Sequence, residues 1–464
     1  MNHPHDSSPS KTMGISQGMR TASLLGILAT IALVSLLPFA CTSSNSNPPV
    51  LEKVEPKSGV QNQDIELTIR GQYLPESIEK LSLVGQNDEI TLTKLNRISD
   101  TEIKATIPKG SPAGVFDLKM WLKDGKSVLL GGAFELSPNA LKITFINVEQ
   151  GDATLIQSPT GQTALIDAGT LGNSKEVLRY LRANKIATIN HIIATHYDKD
   201  HVEGFEAVIK GDDGKLGTPD DHTPTQGIWD RGGSVKSLTY RNIRAQLNAK
   251  NKELHKPLTG KSKDSFPVID LGGGVKIHIR TVNGKILSKD GKIYEVDCKG
   301  EENCFSLGTL VTFGKFRFWT AGDLTGGGIN TPDAEAMLAK HLNPVDVYRA
   351  HHHGSRTSSN EALIKALKPQ VVVISAGEQN SFCHPHIPVL RSLYQIAKPA
   401  FLLTTSGVTK ASDKCPNSTP TKEFLGTLGA KHYVGLGTFS IVAQESSFSV
   451  KGGNSPQNVN WKVR

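Results

Sequence analysis

Cysteine is scarce in this chain: there are five in 464 residues, and no two stand in a CxxC pair. That spacing argues against an ordinary cysteine zinc site. Aromatic residues make up 6% and are not interleaved with basic ones, so no stacking groove for a single strand is visible in the sequence. No dense lysine or arginine tract marks a nucleic-acid segment. The net charge of +8 and pI near 9.0 fit either an ordinary solvated surface or a general attraction to polyanions. Past the N-terminal segment no apolar run is long enough to cross a bilayer, so these residues form no helical channel. No internal repeat is present. What remains, 37% hydrophobic, suits two or three soluble globular domains.

The one long apolar run is "ASLLGILATIALVSLLPFA", preceded by Lys11 and Arg20 and closed by Cys41. It reads as an export signal, 1–41. Its ending "LLPFAC" resembles a bacterial lipobox, with Ala40 before Cys41, although Pro38 and Phe39 depart from the usual pattern. The expectation is an extracytoplasmic protein tied to a membrane by lipid on Cys41; an uncleaved apolar anchor is the alternative. A polar tether, 42–48, follows. The other cysteines, Cys298, Cys304, Cys383 and Cys415, are an even set that suits disulfides in an oxidising compartment. Of their three pairings, Cys298 with Cys304 and Cys383 with Cys415 needs the least rearrangement. Free structural thiols are the alternative.

Residues 49–138 alternate short β-patterned runs ("DIELTIRG", "KLSLVG", "EIKATIP", "VFDLKMWL") with turn signals, which predicts a small β-sandwich. "VLEKVEPKSGVQNQDIELTIRGQYL" and "ISDTEIKATIPKGSPAGVFDLKM" resemble the opening and closing strands of an IPT/TIG immunoglobulin-like domain. Such domains are spacers or binding modules, and nothing in this one carries chemistry. From 141 to 448 strands and helices mix, with a Gly/Lys/Asp-rich stretch at 209–300 read as an insertion and 449–464 as a tail. The predicted class is α+β.

The stretch "HIIATHYDKDHVEGF" carries the chemistry. An apolar strand runs into a helix start, and four metal-ligand side chains crowd the turn between them. Side chains two apart in an extended segment share a face, so His196 and Asp198 can meet one ion. Asp200 and His201 can face a second. The stretch resembles the HxHxDH motif of the metallo-β-lactamase superfamily, with Asp198 in place of the second histidine. With "NVEQGDA" (147–153), this HxDxDH form is similar to the hydrolase domain of the ComEC competence-protein family. The resemblance continues in order through "IDAG" (Asp167), "NCFSL" (303–307), "FWTAGD" (Asp323), "VDVYRAHHHGSRTSS" and "VVVISAGEQNSFCHPH".

That resemblance implies an αββα sandwich holding two divalent ions, zinc or manganese. Asp323 would bridge them, Asp167 would support the site, and His353 in preference to His352 would complete the ligands of the second ion. His351 is left to pack or to face solvent. Asp200 and His384 are the candidate catalytic residues, His384 or His386 orienting the substrate or protonating the leaving group. Asp152 would support the site or cap a turn. Two departures stand out. "CKGEENCFSL" lacks the histidine most members supply for the first ion, so Glu302, Asn303 or water would have to substitute, and harder donors move preference toward manganese. Glu149 also stands where the family usually has glycine. Asp212, Asp213, Asp220 and Asp221 in "GDDGKLGTPDDH" can wrap calcium or form a solvated turn.

The function expected is an exported metal-dependent phosphodiesterase or nuclease acting on a phosphodiester such as DNA. The alternatives are hydrolysis of envelope phosphocholine esters, a lactone or a β-lactam, or a surface binding protein with an idle hydrolase domain.

Overall fold

The computed structural model describes residues 47–464 except positions 252, 329, 417 and 455–458. The expected signal segment and Cys41 lie outside the described residues.

Residues 50–137 form two stacked sheets. One has the order Val50–Glu55, Ile65–Gln72, Glu102–Ile107, Thr93–Arg97; the other runs Ser58–Val60, Ser127–Ser137, Gly114–Trp121, Lys80–Val84, Glu89–Thr91. The period-2 pattern explains the stacking. In Ile65–Gln72, Ile65, Leu67 and Ile69 are buried while Glu66 and Arg70 face out. They meet Leu83, Phe116, Leu118 and Met120 from the opposite sheet in one core. This is the small sandwich expected.

From Leu141 onward two larger sheets pack face to face. The first runs His255–Pro257, Gly227–Asp230, His191–Ile193, Thr163–Ile166, Thr154–Gln157, Leu141–Phe145, Phe439–Ala443, Ser447–Lys451, Asn460–Lys462. The second runs Ile293–Glu295, Lys285–Leu287, Val275–Val282, Gly308–Phe313, Phe316–Thr320, Val347–Arg349, Val371–Ile374, Ala400–Leu403, His432–Tyr433, with Val268–Asp270 beside Val275–Val282. The central strands are apolar on both faces, as strands covered on both sides must be. Ile166, Ile193, Val371, Val373 and Leu402 point into the space between the sheets. Their neighbours Leu165 and Ile192 face helices Lys175–Ala183, Gly204–Lys210 and Leu238–Lys250 on one outer side. Val372, Ile374 and Phe401 face Ala334–Ala339, Glu361–Leu367 and Ile387–Ala397 on the other. The result is the αββα order expected.

Two stretches differ from their sequence reading. The expected insertion, 209–300, supplies two parallel edge strands to the first sheet and several strands to the second. Its strands are only three to eight residues long, and glycine and lysine turns break their pattern. The expected tail also joins the first sheet: Asn460–Lys462 pairs with Ser447–Lys451, and Trp461 stacks on Phe448 at 5.4 Å. Disulfides join Cys298 to Cys304 and Cys383 to Cys415, the pairing that needs the least rearrangement.

Candidate metal centre

Parallel strands of both sheets end at one edge, where α/β folds place their sites. His191–Ile193 lies between Thr163–Ile166 and Gly227–Asp230, parallel to both. The chain leaves it through Thr195–Asp198 into the helical turn Lys199–Val202. In the second sheet, Phe316–Thr320 delivers Asp323, and the parallel strand Val347–Arg349 delivers the histidine run.

Two glycines are required by close approach. A Cβ on Gly151 (φ +128) would overlap the Asp200 carbonyl, and one on Gly322 (φ +50) would overlap Thr195 Oγ1. The backbone is also unusual at residues that are not glycine. Glu149 adopts φ 57, the left-handed region where glycine costs least. His352 and His353 sit at φ 50 and φ 54 in succession, a conformation costing about 1–3 kcal/mol per residue unless its surroundings enforce it. This reversal brings both rings toward Asp323.

His196, His201 and Asp323 converge, as do Asp200, His201 and His353. His201 Nε2 lies 3.3 Å from Asp323 Oδ1, while His353 Nε2 and His196 Nε2 lie 3.6 and 3.9 Å from Oδ2. His353 Nε2 is 3.3 Å from Asp200 Oδ2. Asp198 Oδ2 is 3.6 Å from His196 Nε2. His352 Nε2 lies 3.8 Å from Asp323 Oδ2 on a more open side. Asp323 therefore stands between a His196–Asp198 position and an Asp200–His201–His353 position.

The outer hydrogen bonds fix the rings. Asp167 accepts from Thr195 N and Oγ1 at 2.9 and 2.7 Å and from His201 Nδ1 at 2.8 Å. With its hydroxyl proton given to Asp167, Thr195 accepts from His196 Nδ1 at 3.1 Å. His353 Nδ1 donates to the Ser375 carbonyl at 2.8 Å. Each ring thus turns Nε2 inward, and all three Nε2 atoms are buried without a hydrogen-bond partner. Imidazoles oriented through the other nitrogen are the usual design of metal ligands.

Electrostatics agree. Burial alone would raise the Asp323 carboxyl, but His201, His353 and His352 hold it well below the carboxylate range. Burial likewise opposes ionisation of Asp200, and His201 and His353 overcome it. Burial would lower His201, yet Asp323 and Asp167 drive it well above its ordinary value. A centre this acidic holds positive charge, as protons or as cations that displace them. The donor set fits two divalent ions.

Several residues have other duties. Glu302 accepts from Tyr197 N at 2.9 Å and from Arg231 Nε and Nη2 at 2.8 and 2.7 Å, so it does not substitute for the missing histidine. The Asn303 Oδ1 atom is buried without a partner. His351 is buried, accepting from Trp319 Nε1 at 2.9 Å and facing Glu335 at 2.6 Å; it packs. Burial, then His353 and His352, push His384 down to about 2, which keeps its ring neutral. His386 Nδ1 accepts from Arg356 N at 3.1 Å. In the acidic loop Asp220 Oδ2 and Asp221 Oδ2 accept backbone amides from Asp212, Asp213 and Gly217. The loop carboxylates thus brace their own turn.

Asp152 supports the site. It lies 3.6 Å from His201 Nδ1 and 3.8 Å from His353 Nδ1 and pairs with Arg349. Sequence reasoning missed Arg349, buried at 1% exposure, which also donates to the Gly322 carbonyl at 3.2 Å. Burial pulls its guanidinium down to about 9. The available signal was a basic residue within the strand run "VDVYRA". Gln150 was missed as well; it reaches Asp200 Oδ2 at 3.5 Å and accepts from Gly377 N at 3.1 Å.

Comparison with known proteins agrees with this geometry. Residues 146–243 match the metallo-beta-lactamase superfamily, and 49–135 match the IPT/TIG domain. Recombination protein 2 of Haemophilus influenzae is 26% identical over 266 residues, 56% of this chain and 27% of that protein. ComE operon protein 3 of Bacillus subtilis is 25% identical over 54% of this chain and 30% of its own length. Competence protein ComA of Neisseria gonorrhoeae is 25% identical over 56% and 31%. The alignments thus span less than a third of these relatives' length. The chain carries an IPT/TIG domain followed by a metallo-beta-lactamase superfamily hydrolase domain, with homologues among the competence proteins.

Proposed function

We propose that the protein is an exported, metal-dependent phosphodiesterase acting on nucleic acid and held at a membrane through Cys41. One observation carries the catalytic reading: three buried Nε2 lone pairs converge on one carboxylate, each fixed through its Nδ1. A binding module with an idle domain has no need of such unpaired burial. Two divalent ions, when bound, lower the pKa of a water and neutralise phosphoryl charge. In the chain itself, His196 and Asp198 would hold one ion, Asp200, His201 and His353 the other, with Asp323 between the two positions. His384, neutral and 4% exposed, orients the substrate beside them.

The phosphodiester assignment draws on the relatives named for recombination and competence, on the carboxylate-rich first position and on the positive net charge. Manganese suits that donor set, and zinc remains compatible with the histidines. The test adds manganese or zinc to metal-free protein and offers DNA, bis-p-nitrophenyl phosphate and a β-lactam in parallel. Turnover of both diesters is expected. Turnover of the β-lactam alone would refute the reading, and cleavage of the small diester without DNA would remove the nucleic acid.

A further inference from the structure

Beside the metal centre the segment Asn380–His386 is pinned at several points. The Asn380 side chain accepts from Phe382 N and His384 N at 3.2 and 3.0 Å and donates to the His384 and Gly377 carbonyls at 2.7 and 2.9 Å. The Cys383–Cys415 disulfide ties the segment to residues 409–415. Gln379 adds a second tie, accepting from Thr409 N at 3.0 Å and donating to the Lys410 carbonyl at 2.6 Å.

On this fixed segment Phe382 is 59% exposed, the largest exposure of any aromatic side chain among the exposed large hydrophobics of the described residues. An exposed phenylalanine on a floppy loop would carry little meaning, but this one completes a ring stack. His353 and His384 stack at 6.0 Å and 25°, and His384 and Phe382 at 5.7 Å and 23°. The stack leads from a metal-position histidine to solvent. Lys410 and Lys414, both exposed, stand on the tied segment. Aromatic face and positive charge, dispersed in the sequence, are brought together here as single-stranded nucleic-acid sites combine them.

We propose that Phe382 is a stacking platform for a nucleobase next to the scissile linkage of a single strand, with Lys410 and Lys414 facing the neighbouring phosphates. This rests on the phosphodiesterase reading. An aromatic face accepts any base, so it confers a preference for base-bearing single strands without sequence specificity.

The test compares two single-stranded oligodeoxynucleotides, one intact and one with abasic units flanking the scissile linkage, on manganese-loaded full-length protein. Wild type should prefer the intact strand about tenfold in kcat/KM. Phe382→Ala should raise KM for the intact strand by a similar factor and erase the preference, with kcat and bound metal unchanged; Phe382→Trp should restore it. A preference that survives Phe382→Ala, or a loss confined to kcat, overturns the platform. Equal wild-type cleavage of both strands leaves the phosphodiesterase reading standing and removes this one. Cleavage of neither by two-ion protein removes the phosphodiesterase reading, and the platform with it.

Discussion

Residues 49–138 and the chain from Leu141 are both built on paired sheets, yet they bury different things. In the sandwich the buried polar residues are Ser82, Thr106 and Ser111, and no charged side chain among its described residues is buried. The hydrolase domain buries Asp152, Asp167, Asp230, Glu302, Asp323, Glu335 and Arg349, with His196, His201, His351, His353 and His384. Burying a charge is costly unless it is paired. Asp230 with Arg244, and Glu302 with Arg231, are paired. Around Asp323 three buried ring nitrogens, those of His196, His201 and His353, stay unpaired together. Burial of charge marks the domain; convergence of unpaired ring nitrogens on one buried carboxylate marks the site.

The largest effect expected is at the bridging position. Asp323→Ala should lower turnover about a thousandfold, several kcal/mol of transition-state stabilisation, and reduce the metal content per chain, with near-native circular dichroism. Full activity at limiting metal would show that unpaired burial had been misread. Next, Arg349→Met strands Asp152 in the interior. Urea unfolding should report a loss of about 3–5 kcal/mol, with metal affinity reduced about 10- to 100-fold. In the sandwich, Leu118→Ala should cost about 2–5 kcal/mol by opening a cavity among apolar neighbours, while kcat stays unchanged. A fall in kcat would couple the two regions.

The smallest expected effect is a pH dependence. No histidine occurs between 49 and 190, whereas burial pushes His191, which accepts from Trp229 Nε1 at 3.1 Å, down to about 4. The unfolded chain takes up that proton near pH 6.5 and the folded one only near 4. Protonation therefore favours unfolding, and hydrolase stability should fall as pH drops through this window. Calorimetry of wild type and His191→Gln should show a flatter dependence in the variant, with the sandwich transition unmoved.

The strand-to-turn stretch "HIIATHYDKDH" was legible because strong apolar periodicity delivers the ligands directly. The sandwich was legible for the same reason. Glu302 was not, because its partner Arg231 is distant in sequence and nothing local distinguishes a carboxylate bound by guanidinium from one awaiting metal. The edge strands Gly227–Asp230 and His255–Pro257 were hidden by their length; three or four residues carry too little alternation to separate a strand from a loop. Phe382 was visible only as a residue type, since its fixed, exposed pose depends on Cys415 and Gln379.

The order in which the strands are joined also has a consequence for a chain emerging from the ribosome. Leu141–Phe145 pairs on one side with Thr154–Gln157 but on the other with Phe439–Ala443, and Thr144 meets Ser440 across 296 positions at 2.7 Å. The sandwich, whose partners all lie within its own residues, can complete itself early. The first hydrolase sheet stays open until nearly the whole domain has been made, and such long-range pairing is slow and leaves strand edges bare meanwhile. The nascent domain can therefore show metal-binding side chains well before it has a closed fold around them.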